Sequence, residues 1–505
     1  MIELVRIAKT GGPLTKRVSV APDGSLLSDG SACTMASGWG WRTTCTTMEE
    51  FADGISGLSS DQAIALGALR SDLPDDVQIV TKGKLEKLNG SATNMIARSG
   101  DYLRYRVGQP ALALLDIDTK GMPPAVRDRI KEAGGFWGAL VSVVSELTST
   151  ARVLRPSTSA GISRSDTGEK LPGSNGWHIF PPVQDGADVE RFLRALHDRC
   201  WLAGFGWYMV GAAGQLLERS IVDRMVYAPE RLVFEDAPVL EPPLVQDAAS
   251  RRAVAHDGVA LDTGNACPVL TIVEKAVLRD LRAKETYRLA PDRAKAREAF
   301  IAEQAEAISK RLTLDVARQT VERQCDGVLL PDVVLPFDDM EMEGCTVADV
   351  LADPDRFVGA TLADPLEGVE YGRCKAMIMR RGSGAVWINS FAHGRTTYEL
   401  KLGVPAIEAV LHNTPDDQLV DTFVRLMPSA DMKTTEYQRL RDEVSKRTKI
   451  NKRAIDQTIK QVLKEHAEKE RQEKANQRAA ERTDPRIQIL DPPADAPWLP
   501  TASRP

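Results

Sequence analysis

No apolar run in this chain approaches the roughly 18 residues needed to cross a bilayer, so no membrane-spanning helix is expected. The N-terminus, Met1-Ile2-Glu3-Leu4, meets an acid early and has no long apolar stretch, so no secretory signal is read there. Seven cysteines are scattered from Cys33 to Cys374 without a Cys-x-x-Cys pair, and their odd number argues against a disulfide framework. Reduced thiols in a cytoplasmic setting are expected, and no ligand pair has the spacing of a structural zinc site. A Gly-x-x-x-x-Gly-Lys-Ser/Thr phosphate loop is also missing, which leaves a fused helicase without support. Positive charge is not in excess. The net charge of -6 weighs against a protein that coats nucleic acid, and only weakly against one that grips it locally.

What the chain does have is length and apolar content. With 505 residues, 43% hydrophobic and 27% charged, it has room for roughly three or four domains with sizeable cores. Residues 1–85 read as an α/β unit, with strands at Arg17–Val20 and Val77–Val80 and helices at Thr47–Ile55 and Asp61–Leu69. Residues 86–240 alternate strand and helix patterns. Ala111–Leu115 is a continuous apolar run that reads as a buried strand, Pro124–Ala133 and Val189–Cys200 read as helices, and Phe136–Leu147 is helix or strand. Trp177–Phe180 reads as a strand, and Ser220–Val222 and Leu232–Phe234 are short apolar runs. Residues 241–330 read as a connector followed by a helical pair, 331–430 as a small β-containing domain, 431–483 as a basic helical segment and 484–505 as a disordered tail. The fold class expected is α+β.

Three polar elements interrupt the apolar pattern of 86–240. Asp116-Ile117-Asp118 follows the buried run, and residues i and i+2 of a strand point to one face. Two carboxylates that converge repel each other, and a divalent cation relieves the repulsion. The plainer alternative is a pair of solvated acids at a turn supplied by Gly121 and Pro123. Gly173-Ser174-Asn175-Gly176-Trp177-His178 is a glycine turn running into a strand. There Ser174 and His178 offer donors to a phosphate, or His178 is a core histidine satisfied by a carbonyl. Ile221-Val222-Asp223 places a third acid after an apolar pair, where it is either a further ligand or a salt-bridge partner of Arg219 or Arg224.

In this order the three elements resemble the archaeo-eukaryotic primase (AEP) superfamily, whose pattern is an apolar strand ending in Asp-x-Asp, a small-x-His motif and an apolar strand ending in Asp. The likeness is closest to primase-polymerases of plasmids, phages and integrated elements. It extends to the loop Pro156–Gly161 and the segment Pro229–Phe234, and covers about a third of the chain. The resemblance implies an RRM-like catalytic sheet with an N-terminal α/β unit, and Asp116, Asp118 and Asp223 as catalytic ligands of Mg²⁺ or Mn²⁺. It implies Ser174 and His178 as contacts to the phosphates of the incoming nucleotide. Arg231 is added because a guanidinium can clamp phosphate with two hydrogen bonds. The implied partners are a single-stranded DNA template and nucleoside triphosphates, with any helicase on a separate chain. Competing readings are a non-catalytic nucleic-acid-binding replication or mobilisation protein and a metal-dependent nuclease.

Two further stretches stand out. Trp387–Arg395 joins aromatics to His393 and Arg395 near a turn, where nucleic-acid contact is one reading. Glu443–Ile455 resembles a helix-turn-helix with its turn near Lys449. Residues 433–482 hold 15 Lys and Arg against 9 Asp and Glu, a balance suited either to phosphate contact or to a solvated helical tail.

Overall fold

The computed structural model describes residues 1–21, 24–87, 94–171, 176–309, 312–392 and 397–481. The chain is a mixed α+β protein that divides into two compact units, Met1–Glu298 and Ala299–Pro505. Among the described residues no helix is long and apolar enough to cross a membrane.

The first unit opens with strands β1 (Ile2–Lys9), β2 (Ser37–Cys45), β3 (Gln62–Ala65), β4 (Asp76–Val80) and β5 (Met95–Ala97), joined in the order β3-β1-β2-β4-β5. Helix α1 (Met48–Ser56) starts at Thr47, whose side chain accepts a hydrogen bond from the Glu50 amide. Its buried residues Met48, Phe51, Ala52 and Ile55 follow helical spacing, which makes this face legible in the sequence. The stretch Asp61–Leu69, expected to be helical, is instead β3 followed by the two-residue strand Ala68–Leu69. Ala63, Ile64 and Ala65 are all buried, and β3 hydrogen-bonds to β1 along the sheet edge. Burial in a sheet overrides the helix propensity of alanine here.

A second sheet is built from β6 (Leu115–Ile117), β7 (Arg152–Pro156), β8 (Trp177–Phe180) and, beyond the hairpin β9 (Gly206–Val210) and β10 (Leu216–Ser220), β11 (Val254–His256). Its order is β6-β8-β7-β11, with every neighbour antiparallel. The edge strand β11 and the short strand Leu244–Gln246 lie in the stretch read as connector. Their Pro-, Asp- and Ala-rich surroundings carry no strand signature, and only cross-strand pairing creates them. Helices α2 (Pro124–Glu132), α3 (Phe136–Val143) and α4 (Val189–Leu202) share one hydrophobic core with α1 and the second sheet. Leu115, Ile117, Val153, Ile179 and Phe180 are all buried in it. The Phe180 ring meets Phe51 of α1 edge to face, with centroids 5.1 Å apart.

The second unit holds a five-stranded sheet in the order Val328–Leu329, Thr397–Leu400, Val386–Ser390, Ala376–Arg380, Thr361–Leu362. Buried Asp364 ties it together by accepting hydrogen bonds from Ser390 Oγ (2.6 Å) and the Tyr398 hydroxyl (3.1 Å). His393 and Arg395 lie outside the described residues. Four helices follow at Val404–His412, Leu419–Leu426, Thr434–Thr448 and Lys452–Glu481.

Phe180→Ala removes a ring with no exposed surface from the core next to the polar row described below. It should lower unfolding free energy by about 3–5 kcal/mol, read as a lower urea midpoint with an unchanged slope.

Candidate functional site

Strand β8 is the centre of the candidate site. Its register places His178 opposite Asp116 of β6 on one side and opposite Arg155 of β7 on the other. Residues directly opposite in an antiparallel pair share a face, so the three side chains form one polar row across the sheet. His178 Nε2 lies 3.7 Å from Asp116 Oδ1, and the two side chains keep 16% and 32% of their surface exposed, so a ligand can reach both.

The expected continuous strand Ala111–Leu115 is divided. Ala111–Leu112 pairs with Pro182–Val183, and β6 pairs separately with β8. Between them the Ala113 amide donates to the Pro181 carbonyl at 3.0 Å, and Pro181 has no N–H to return a bond, so the ladder is interrupted. Asp116 therefore sits in the middle of β6 rather than past its end. Asp118 lies just beyond the strand, where Oδ1 accepts from the Lys120 amide (2.9 Å) and Oδ2 is 3.7 Å from an Arg219 guanidinium nitrogen.

Ile221-Val222 is not a strand. Strand β10 ends at Ser220, whose hydroxyl donates to the Val222 carbonyl (2.9 Å) and accepts from the Val222 amide (3.3 Å), replacing ladder bonds with a local turn. That turn still delivers Asp223 to the sheet edge, because the Asp223 amide donates to the Asp116 carbonyl at 2.9 Å. The Asp223 carboxylate accepts from the Met225 amide (2.8 Å), and Arg231 reaches the Met225 carbonyl at 3.4 Å. Ser174 lies outside the described residues. Among the described residues no three His, Cys, Asp or Glu side chains are gathered closely enough to hold a metal ion. Both Asp118 and Asp223 spend an oxygen on a backbone amide two residues ahead.

No protein-family model, curated protein or solved structure matches the chain. The chemistry of the site rests on its own residues.

Those residues are electrostatically coupled. Burial raises the Asp116 carboxyl above its ordinary value; the His178 charge opposes this, Asp223 and Asp118 add to it, and Arg231 opposes it. The net direction is upward, so the site disfavours the charge it carries. Burial would lower the His178 imidazole, but Glu235, by its charge and its hydrogen bond, and then Asp116 outweigh burial and a small opposing effect of Lys16, holding it above 6.5.

Glu235 is the residue that sequence reasoning missed. It has no exposed surface and accepts a hydrogen bond from His178 Nδ1, so the partner of His178 is a carboxylate and not a backbone carbonyl. Arg155 Nε lies 3.4 Å from Glu235 Oε2. Buried Arg251 donates to the Glu235 carbonyl (3.0 Å) and to the Ser157 carbonyl (3.1 Å), fixing the loop after β7. Burial and then the Arg155 charge push the Arg251 guanidinium down to about 10, which leaves it charged at neutral pH. The available signal was an acid closing the apolar run Leu232-Val233-Phe234, the same signature that marked Asp116.

A second network lies behind Asp223. Buried His197 contacts Ser220 Oγ through Nδ1 (3.0 Å) and Glu218 through Nε2 (3.1 Å). Burial opposes ionisation of Glu218, yet the His197 hydrogen bond and then the Arg224 and Arg282 charges bring it down to about 2. Ser-His-Glu contacts resemble a nucleophile and its base, but Ser220 is only 6% exposed and bound twice to Val222. The network positions the Asp223 turn.

Two outcomes are expected. A raised His178 pKa stabilises the fold fully below 6.5, and that contribution is lost as pH rises through the folded value. Glu235→Gln should lower the His178 pKa in an NMR titration and remove this pH dependence; an unchanged titration would contradict the pairing. A raised Asp116 pKa likewise favours the fold below 3.8 and is lost above the folded value. Asp116→Asn should therefore raise the melting temperature at pH 7, with the gain vanishing in acid.

Proposed function

We propose that the chain is a DNA-dependent nucleotidyltransferase of the archaeo-eukaryotic primase type, a primase or primase-polymerase that makes or extends primers for a mobile genetic element. In this reading β6-β8-β7-β11 is the RRM-like catalytic sheet, packed beside the N-terminal α/β unit. The observation that carries it is the row Asp116–His178 with Asp223 hydrogen-bonded to the Asp116 backbone. Acids suited to a cation stand next to an imidazole suited to a phosphate, on one half-buried patch at the edge of the sheet.

The donor set fits Mg²⁺ or Mn²⁺ in chemistry. Asp116, Asp118 and Asp223 offer the hard oxygens such ions prefer, and the Asp116 pKa is raised first by burial and then by its acidic neighbours, whose repulsion a cation relieves. A divalent ion held there supplies neutralisation of phosphate charge and a lowered pKa for an attacking 3′-hydroxyl. The remaining work falls to the chain. Glu235 accepts from Nδ1 and raises the His178 pKa, which favours the imidazolium whose Nε2–H can donate to a phosphate oxygen of the bound nucleoside triphosphate. Arg231 adds a guanidinium on the same side, within electrostatic reach of Asp116. The protein contributes positioning and charge, as phosphoryl transfer requires, and no covalent step.

The test is primer synthesis and extension on single-stranded DNA with Mg²⁺ or Mn²⁺. Asp116→Asn combined with Asp118→Asn should reduce nucleotide incorporation by about 10³-fold or more, several kcal/mol of transition-state stabilisation. Full activity in that variant would overturn the site, and strand cleavage in place of incorporation would favour the nuclease reading.

A further inference from the structure

The second unit carries a charge pattern that nucleotidyl transfer does not use. Its helices Thr434–Thr448 and Lys452–Glu481 are joined by the turn Lys449-Ile450-Asn451. The turn is held firmly. Lys449 adopts a left-handed conformation (φ +59°), the Ser445 hydroxyl donates to the Ile450 carbonyl (2.7 Å), and the Asn451 side chain accepts from the Arg453 amide (2.8 Å). Leu440 and Val444 from the first helix and Ile455 and Ile459 from the second share a core with Leu419 and Phe423 of the preceding helix. Ile407 and Leu411 of Val404–His412 complete this four-helix core, and two helices packed across a short turn, as the last two are, is the arrangement by which helix-turn-helix proteins present a helix to DNA.

The faces of the last helix are cleanly separated. At about 100° per residue, Ile455, Ile459 and Val462 form one side, and Arg453, Gln457, Lys460 and Lys464 fall within about 60° of one another on the opposite side. The first group is buried or half-buried and the second is exposed. Between Lys446 and Lys464 there are seven lysines and arginines and one acid, Asp456. That acid is half-exposed and engaged by the preceding helix, accepting from the Tyr437 hydroxyl (2.5 Å) and from Arg441 (2.9 Å). The outward face is therefore cationic with an amide among the cations.

We propose that this helix pair is a duplex-DNA-binding surface, with the first turns of Lys452–Glu481 seated in the major groove. Arg453, Lys460 and Lys464 supply contacts to phosphates or guanine edges, and Gln457 can pair with adenine. The groove, about 12 Å wide, accepts a helix of about 10–12 Å diameter. Duplex is favoured over single strands because the large apolar side chains exposed here, Ile450 and Leu463, are aliphatic and offer no stacking platform for unpaired bases. The proposal belongs to the second unit and stands whether or not the first unit transfers nucleotides.

Full-length protein titrated against a labelled mixed-sequence duplex at several salt concentrations, read by fluorescence anisotropy, tests it. Arg453→Ala with Lys460→Ala should weaken binding about tenfold or more and reduce the log–log salt slope by about 2, one for each lost contact. Lys469→Ala with Arg471→Ala, exposed farther along the same helix, should leave both unchanged. An equal urea midpoint shows the first variant folded; should it differ, Lys464→Ala gives the same reading with a slope change of about 1. Wild-type affinity for duplex in the Arg453/Lys460 variant, or an equal loss of affinity for single-stranded DNA of the same sequence in that variant, would overturn the proposal.

Discussion

A carboxylate with no exposed surface must be paired, and Glu235 has a side-chain partner on each of two strands. His178 donates to it from β8, Arg155 approaches it from β7, and Arg251 holds its backbone carbonyl. Removing one partner of such a buried group leaves an uncompensated charge at a cost of about 3–5 kcal/mol. The segment carrying Glu235 is also attached to the first sheet by the bridge of Val233 to Ile64. One buried acid thus links the segment after Arg231 to the centre of the second sheet, and it fixes which ring nitrogen of His178 faces Asp116.

The exposed half of the row has the opposite character. Asp116 carries its charge against burial and against two neighbouring acids. That is an arrangement a fold does not adopt for stability, since replacing a repelled carboxylate would relieve it. Asp118 and Asp223 avoid the worst of the repulsion by turning to backbone amides. The turn bearing Asp223 is in turn held by His197, Ser220 and Glu218, none of which reaches the exposed patch. Order on the buried side and repulsion on the open side are what a site for a cationic or phosphorylated ligand needs.

Local pattern made several features legible. The helix containing Met48–Ile55 and the helix beginning at Val189 follow apolar periodicity, and the strand Trp177–Phe180 follows from its β-prone apolar composition. Asp116 and His178 were visible as polar residues in apolar runs. By contrast, Ala63-Ile64-Ala65 gave a helical reading because small apolar residues suit either state, and the sheet edge decides between them. Ile221-Val222 gave a strand reading because it is apolar, although Ser220 closes the ladder one residue earlier.

Which side chains carry charge into apolar surroundings, and how far apart they lie along the chain, follows from residue order alone. Their neighbours follow from packing. The pairing of Asp116 with His178 depends on strand register between segments some sixty residues apart, and register is a property of two strands and a turn together. The burial of Glu235 depends on Arg155 and Arg251 arriving from elsewhere. Propensity and periodicity are local quantities, whereas the desolvation and pairing of a charge are set by everything packed around it.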